Sequence, residues 1–173
     1  MKATELYEEL LKWTTTYDKD FYDLITKYKD YTINILNIER ERKKPRKDYS
    51  MYSEIKDKTF YMYDELFNDV TYDYQKITSK EEITKIINLY MEKYFELSSQ
   101  EEWFNKIKML CEELGYASDM KDYKEHPEKY KGNITDITTV LRVSLTGSSM
   151  TPDLYEIMKL FGKDRIQSRF EKI

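Results

Sequence analysis

Val140-Leu141-Arg142-Val143-Ser144-Leu145-Thr146-Gly147, followed by Thr151-Pro152-Asp153-Leu154-Tyr155-Glu156-Ile157-Met158-Lys159-Leu160-Phe161-Gly162-Lys163-Asp164-Arg165, reads as helix, glycine turn, capped helix, glycine turn, helix. Gly147 and Gly162 each follow an apolar helical run. A helix ends readily there, because glycine takes the left-handed conformation without a Cβ penalty. Thr151 is the expected N-cap, Pro152 the first helical residue, and Asp153 sits near the positive end of the dipole. Helices joined by such short turns must bury their apolar faces against other helices, so the fold class predicted is all-α.

The same period runs outward through the chain. Leu6, Leu10, Trp13 and Tyr17 form one stripe; Phe21, Leu24, Ile25 and Tyr28 a second; Ile55, Met62, Tyr63 and Leu66 a third. Ile83, Ile86, Ile87, Tyr90, Tyr94 and Leu97 form the clearest. Spacings of three and four put each set on one helix face. Ser79-Lys80-Glu81-Glu82 and Ser99-Gln100-Glu101-Glu102 read as capping boxes before the Ile83 and Trp103 stripes, and Gly115 reads as a helix end. Residues 43–49 and 116–133 carry no stripe and are expected to be irregular. A break near Leu97-Ser98-Ser99 predicts two small helical bundles, 1–97 and 98–173.

Composition bounds the function. With 173 residues, 40% hydrophobic and 36% charged, the chain is globular rather than disordered. Only 4 Gly and 3 Pro fit long helices better than many-stranded sheets. A net charge of −4 argues against non-specific nucleic-acid binding but leaves room for a local basic patch. The single cysteine, Cys111, rules out an internal disulfide and fits a reducing, cytoplasmic setting; a buried structural thiol is the expected role. No apolar run is long enough to span a membrane.

Catalytic motifs are missing. There is one histidine, His126, no paired cysteines, no phosphate-binding glycine loop and no nucleophile elbow. Three constellations remain. In Arg40-Glu41-Arg42-Lys43-Lys44-Pro45-Arg46-Lys47, six of eight residues are basic. The run suits either phosphate contact or a solvated helix C-terminus, where cations meet the negative dipole end. Phe60-Tyr61-Met62-Tyr63-Asp64-Glu65-Leu66-Phe67 could offer stacking platforms, but aromatic residues at helical spacing more often form core. Arg142 would lie near the start of the following helix, where a planar donor fork and free N–H groups suit a nucleotide base and its phosphate. Local capping or pairing of Arg142 is the simpler alternative.

The stretch 140–165 resembles the C-terminal signature of bacterial glutamyl-tRNA synthetases, a class I aminoacyl-tRNA synthetase family. Its pattern is Leu-Arg-x-Ala-Leu-Thr-Gly, a short spacer, Pro-x-Leu-x-Glu-Ile, then Leu-Gly-Lys-x-Arg. Here Ser144 stands where the family usually has Ala, and Phe161 takes one of the apolar places. Trp103 to Gly115, Ala3 to Leu10, Lys44-Pro45-Arg46-Lys47-Asp48 and Glu65-Leu66-Phe67 extend the resemblance over most of the chain. The family's His-x-Gly-His motif and Lys-Met-Ser-Lys-Ser-like loop do not occur.

The resemblance implies an anticodon-binding piece that begins downstream of the catalytic core and cannot aminoacylate alone. The C-terminal bundle would be a helix cage around single-stranded anticodon bases, whose splayed edges can be read. Family base contacts map onto Arg142, Thr139, Thr151, Pro152 and Leu154: Arg142 donating to a base, Pro152 and Leu154 offering apolar surface. At Thr139 the family often has a longer polar side chain. An arginine facing the third anticodon base maps onto Arg46, with Lys47 as the other candidate, and Arg42, Lys43 and Lys44 are assigned to phosphates. The implied partner is glutamate tRNA, with glutamine tRNA as the alternative; DNA and membrane partners are not expected. No cofactor or metal is expected on this piece, ATP and glutamate belonging to the catalytic domain, and the chain is expected to be a monomer. The rival reading is a helical protein-interaction module with no RNA role.

Overall fold

The computed structural model describes residues 1–41 and 49–173. Among the described residues the regular structure is helical, with no strand beyond an isolated bridge between Ala117 and Asn133. The chain divides into two compact units, Met1–Asp69 and Val70–Ile173. The division predicted at 97/98 therefore falls inside the second unit. The Ser99 cap marks a helix start, and a helix start need not be a domain boundary.

The first unit contains α1 (Ala3–Tyr17), α2 (Lys19–Lys27), α3 (Lys29–Leu36) and α4 (Ser53–Thr59), with a 3-10 turn at Phe60–Met62. Helix α1 packs on α2 and α3. Leu6, Leu10 and Thr14 recur every fourth residue and are buried, joined by Tyr7, whose hydroxyl donates to the Ile25 carbonyl at 3.1 Å. The stripe expected to reach Tyr17 stops short of it; that ring is 71% exposed. Asp18 separates α1 from α2 and caps α2, its carboxylate accepting from the Phe21 N–H at 3.0 Å.

The aromatic segment is core. Tyr61, Met62, Tyr63 and Phe67 are buried. Tyr63 meets Phe21 and Tyr31 edge-on, with ring centroids 6.2 and 5.8 Å apart, and pairs through its hydroxyl with buried Thr32 at 2.8 Å. Edge-to-face contact suits the ring quadrupole, and the hydroxyl pair keeps a buried polar group satisfied.

The second unit contains α5 (Lys80–Leu89) with a π-helical turn at Tyr90–Tyr94, α6 (Gln100–Leu114), α7 (Met120–Glu125), α8 (Ile134–Thr146) and α9 (Leu154–Glu171). Helix α8 is central and packs against α5, α6 and α9. Ile137, Val140, Leu141, Val143, Ser144, Leu145 and Thr146 are all buried, which is apolar burial around most of the helix rather than along one stripe. Ser144 keeps a partner for its hydroxyl, Tyr74 Oη at 3.0 Å. The Ile83 stripe needs this cover: Ile86 is fully buried, and α6 and α8 supply the facing surface.

Gly115, Gly147 and Gly162 all have positive φ, as a glycine-terminated helix requires. At Gly162, φ 75° and ψ 165° break α9 into two pieces, the turn that the sequence predicted. Ser79 and Ser99 cap α5 and α6 by accepting from the Glu82 and Glu102 N–H groups. The reciprocal half of the first box is diverted: Glu82 Oε1 accepts from Tyr116 Oη at 2.9 Å. Residues 116–133 are more regular than expected. They include α7, which buries no residue and so leaves no apolar stripe to read.

Burial pushes the Cys111 thiol up to about 12, so it is neutral and a poor nucleophile near pH 7. Burial likewise pushes the hydroxyls of Tyr7, Tyr63, Tyr90 and Tyr116 above their ordinary value of 10.0. Above that pH the unfolded chain releases phenolic protons that the folded chain retains, so unfolding gains from alkali. The stability these groups contribute is fully present below about pH 10 and declines as pH rises beyond it. Denaturant midpoints measured near neutrality and above pH 10 should show a clear fall. An unchanged midpoint would contradict this burial.

Candidate nucleic-acid interface

Arg142 lies in the last part of α8, four residues before Thr146. It is half-buried, and its guanidinium turns onto the connection between α8 and α9. Nη1 donates to the Thr151 hydroxyl, to the Pro152 carbonyl at 2.7 Å and to the Thr151 carbonyl at 3.3 Å. A planar fork anchored in this way has a fixed direction, which is the property base recognition needs.

The connection is held by its own hydroxyls. Thr146 Oγ1 donates to the Arg142 carbonyl at 2.8 Å and accepts from the Ser148 N–H at 3.1 Å. Ser148 Oγ in turn accepts from the Met150 N–H at 3.1 Å. Met150 itself is 86% exposed, at the tip of the connection.

Helix α9 begins two residues later than the sequence suggested. Asp153, not Thr151, is the N-cap, its carboxylate accepting from the Glu156 N–H at 3.0 Å. Two cap signals overlap here. Asp153-Leu154-Tyr155-Glu156 has the acidic spacing of a capping box, and Thr151 is engaged by Arg142 instead. The chemical consequence concerns phosphate. A carboxylate already occupies the positive end of α9, so this helix start is better suited to a base edge than to a phosphate group.

Of the residues predicted to contact a base, the fold brings Arg142, Thr151 and Pro152 together. Thr139 is half-buried on α8, three residues before Arg142 and so on the same face. Leu154 differs from expectation: it is 2% exposed, because as the first residue of α9 it faces the core and has no apolar surface to offer a base. Arg42, Lys43, Lys44, Arg46 and Lys47 lie outside the described residues. At the edge of that basic run, Arg40 Nε donates to the Leu36 carbonyl at 2.8 Å, the helix-end role that suits a cation after α3.

Sequence reasoning missed Gln100. Its Nε2 donates to the Asp153 carboxylate at 3.1 Å. The Asp153 half of this pair was readable from its spacing to Glu156, but no local signal reveals a partner 53 residues away.

Among the described residues, no group of three or more His, Cys, Asp or Glu could hold a metal ion, and no helix is long and apolar enough to cross a membrane.

A family model described as an anticodon binding domain matches residues 5–173. The chain is 39% identical over 177 residues to a glutamate–tRNA ligase of Clostridium perfringens (strain SM101 / Type A), covering 99% of the chain and 32% of that protein. It is 39% identical over 171 residues to the glutamate–tRNA ligase of Acetivibrio thermocellus, covering 99% and 31%. A glutamate–tRNA ligase of Sorangium cellulosum shares 31% identity over 173 residues, covering 99% and 30%. The chain thus spans about a third of the length of the relatives it matches. With the family model covering nearly the whole chain, the protein belongs to the anticodon-binding domain family, in the form that glutamate–tRNA ligases carry.

Proposed function

We propose that the second unit reads anticodon bases of glutamate tRNA, and that aminoacylation belongs to the remaining part of a parent ligase. One observation supports this above others: the Arg142 guanidinium is anchored by Thr151 and the Pro152 carbonyl at the start of α9. Arg142 donates to a base acceptor, Thr151 and Thr139 supply polar neighbours, and Pro152 offers an apolar surface. In the first unit, Arg46 or Lys47 meets the third anticodon base, and Arg42, Lys43 and Lys44 meet phosphates. ATP and glutamate bind the parent's catalytic part. On this reading the chain works as a monomer in the cytoplasm.

The negative net charge makes binding depend on local contacts and therefore on salt. The test is a titration of the isotope-labelled chain with the anticodon stem-loop of glutamate tRNA at low salt, followed by NMR. Amide signals of Thr139, Arg142 and Thr151 should shift. Shifts confined to other surfaces, with these three unmoved, would refute the proposal.

A further inference from the structure

We infer that Gln100 is a positioning residue for base recognition, holding the Arg142 site in register through Asp153; this rests on the anticodon-reading function proposed above. Gln100 is the first residue of α6, and its side chain is exposed. Its Nε2 lies 3.1 and 3.4 Å from the two Asp153 carboxylate oxygens. The carboxylate is thus held from two sides, by the Glu156 N–H of its own helix and by the amide of α6.

The surrounding contacts have the same sense. Tyr155 Oη and Lys159 Nζ both donate to the Leu97 carbonyl, at 3.2 and 3.3 Å. The Tyr155 ring lies against Trp103, with centroids 5.9 Å apart. Residues 97–103 are therefore the platform on which the first turn of α9 rests, and Gln100 is the part of it that reaches the N-cap. The residue before Asp153 is Pro152, whose carbonyl accepts from Arg142. A shift of Asp153 moves that acceptor and with it the direction of the guanidinium.

This assignment explains a contact that folding alone does not require. Substitutions at exposed positions usually change stability little. A misdirected donor fork, by contrast, loses discrimination between bases, since good geometry is what separates a matched edge from a mismatched one.

The experiment measures the affinity ratio for glutamate tRNA over an anticodon-substituted transcript, using the whole chain and four variants. Gln100→Ala should lower the ratio about three- to tenfold, the usual net worth of one exposed hydrogen bond. Its melting temperature should stay near wild type. Gln100→Lys keeps a donor for the carboxylate and should retain most of the ratio; its added charge acts on both transcripts and cancels. Gln100→Glu sets a like charge beside Asp153 and should lose at least as much as alanine. Amide exchange at Tyr155, Glu156 and Ile157 should quicken in Gln100→Ala and not in Gln100→Lys.

A wild-type ratio in Gln100→Ala would overturn the inference, as would equal losses in the alanine and lysine variants. A fall in melting temperature with both affinities reduced together would also overturn it, since that is a merely structural role. If Arg142→Ala abolishes the preference while Gln100→Ala leaves it intact, the inference alone fails. If the wild type shows no preference, the anticodon-reading function fails and takes the inference with it.

Discussion

Arg169→Ala is expected to cost about 3–4 kcal/mol of folding stability, the largest single effect anticipated in this chain. Arg169 is 1% exposed, and its Nη1 donates to the Leu145 carbonyl at 2.8 Å. Leu145 belongs to the last turn of α8, whose carbonyls have no partner within the helix. The guanidinium therefore satisfies a buried acceptor and places a cation at the negative end of the α8 dipole. It also lies over the Phe161 ring, 4.4 Å from its centroid. Truncation leaves a buried carbonyl unpaired, worth about 1–3 kcal/mol, and removes a desolvated cation–π contact worth up to about 2 kcal/mol. Arg169→Met restores the stem's packing but not the donor, so it should recover only part of the loss. Denaturant unfolding of the two variants checks this, and a loss below about 1 kcal/mol in the alanine variant would contradict the assignment.

The second large effect concerns recognition. Arg142→Ala is expected to reduce the preference for a native anticodon by about 1–3 kcal/mol, while leaving binding to a substituted transcript almost unchanged. The distinction follows from what the residue touches. Arg142 is fixed by Thr151 and Pro152 at a helix start already carrying the Asp153 carboxylate, a place suited to a base edge rather than to the phosphate backbone. Removing a phosphate contact would weaken binding to all sequences alike and flatten its salt dependence. Removing a base contact changes the ratio between sequences. Uniform weakening by Arg142→Ala would therefore assign this residue to the backbone. The half-buried setting of Arg142 allows a moderate stability cost, so affinities should be compared at a temperature where the variant is folded.

The all-helical class was legible because apolar spacing and terminal signals agreed. The Ile83 stripe, the Ser79 and Ser99 caps and the left-handed glycines 115, 147 and 162 are local features, and local features are written in consecutive residues. The aromatic run at 60–67 supplies core, as its spacing predicts: Tyr61, Met62, Tyr63 and Phe67 are buried. Long-range facts were less accessible. The Ile83 stripe announces a buried face but not which helices cover it, and the break read at 97/98 lies inside the compact unit Val70–Ile173. At the start of α9 two cap patterns overlap by two residues, and choosing Thr151 over Asp153 hid both the role of the carboxylate and the inward turn of Leu154. Arg142 was found through its resemblance to a family signature, whereas residue chemistry alone favoured the local pairing that the fold displays. That pairing is compatible with recognition, because it fixes the direction of the guanidinium.

The most direct test of anticodon reading is an equilibrium titration of the whole chain with a glutamate tRNA transcript and with the same transcript carrying a substituted anticodon. Both should be run at one stated low salt concentration, since phosphate contacts weaken as salt rises. Tighter binding of the native transcript by about 1–3 kcal/mol, lost in Arg142→Ala, is the result expected. Equal affinity for the two transcripts, unaltered by Arg142→Ala, would contradict anticodon reading by the second unit and favour a helical protein-interaction module instead.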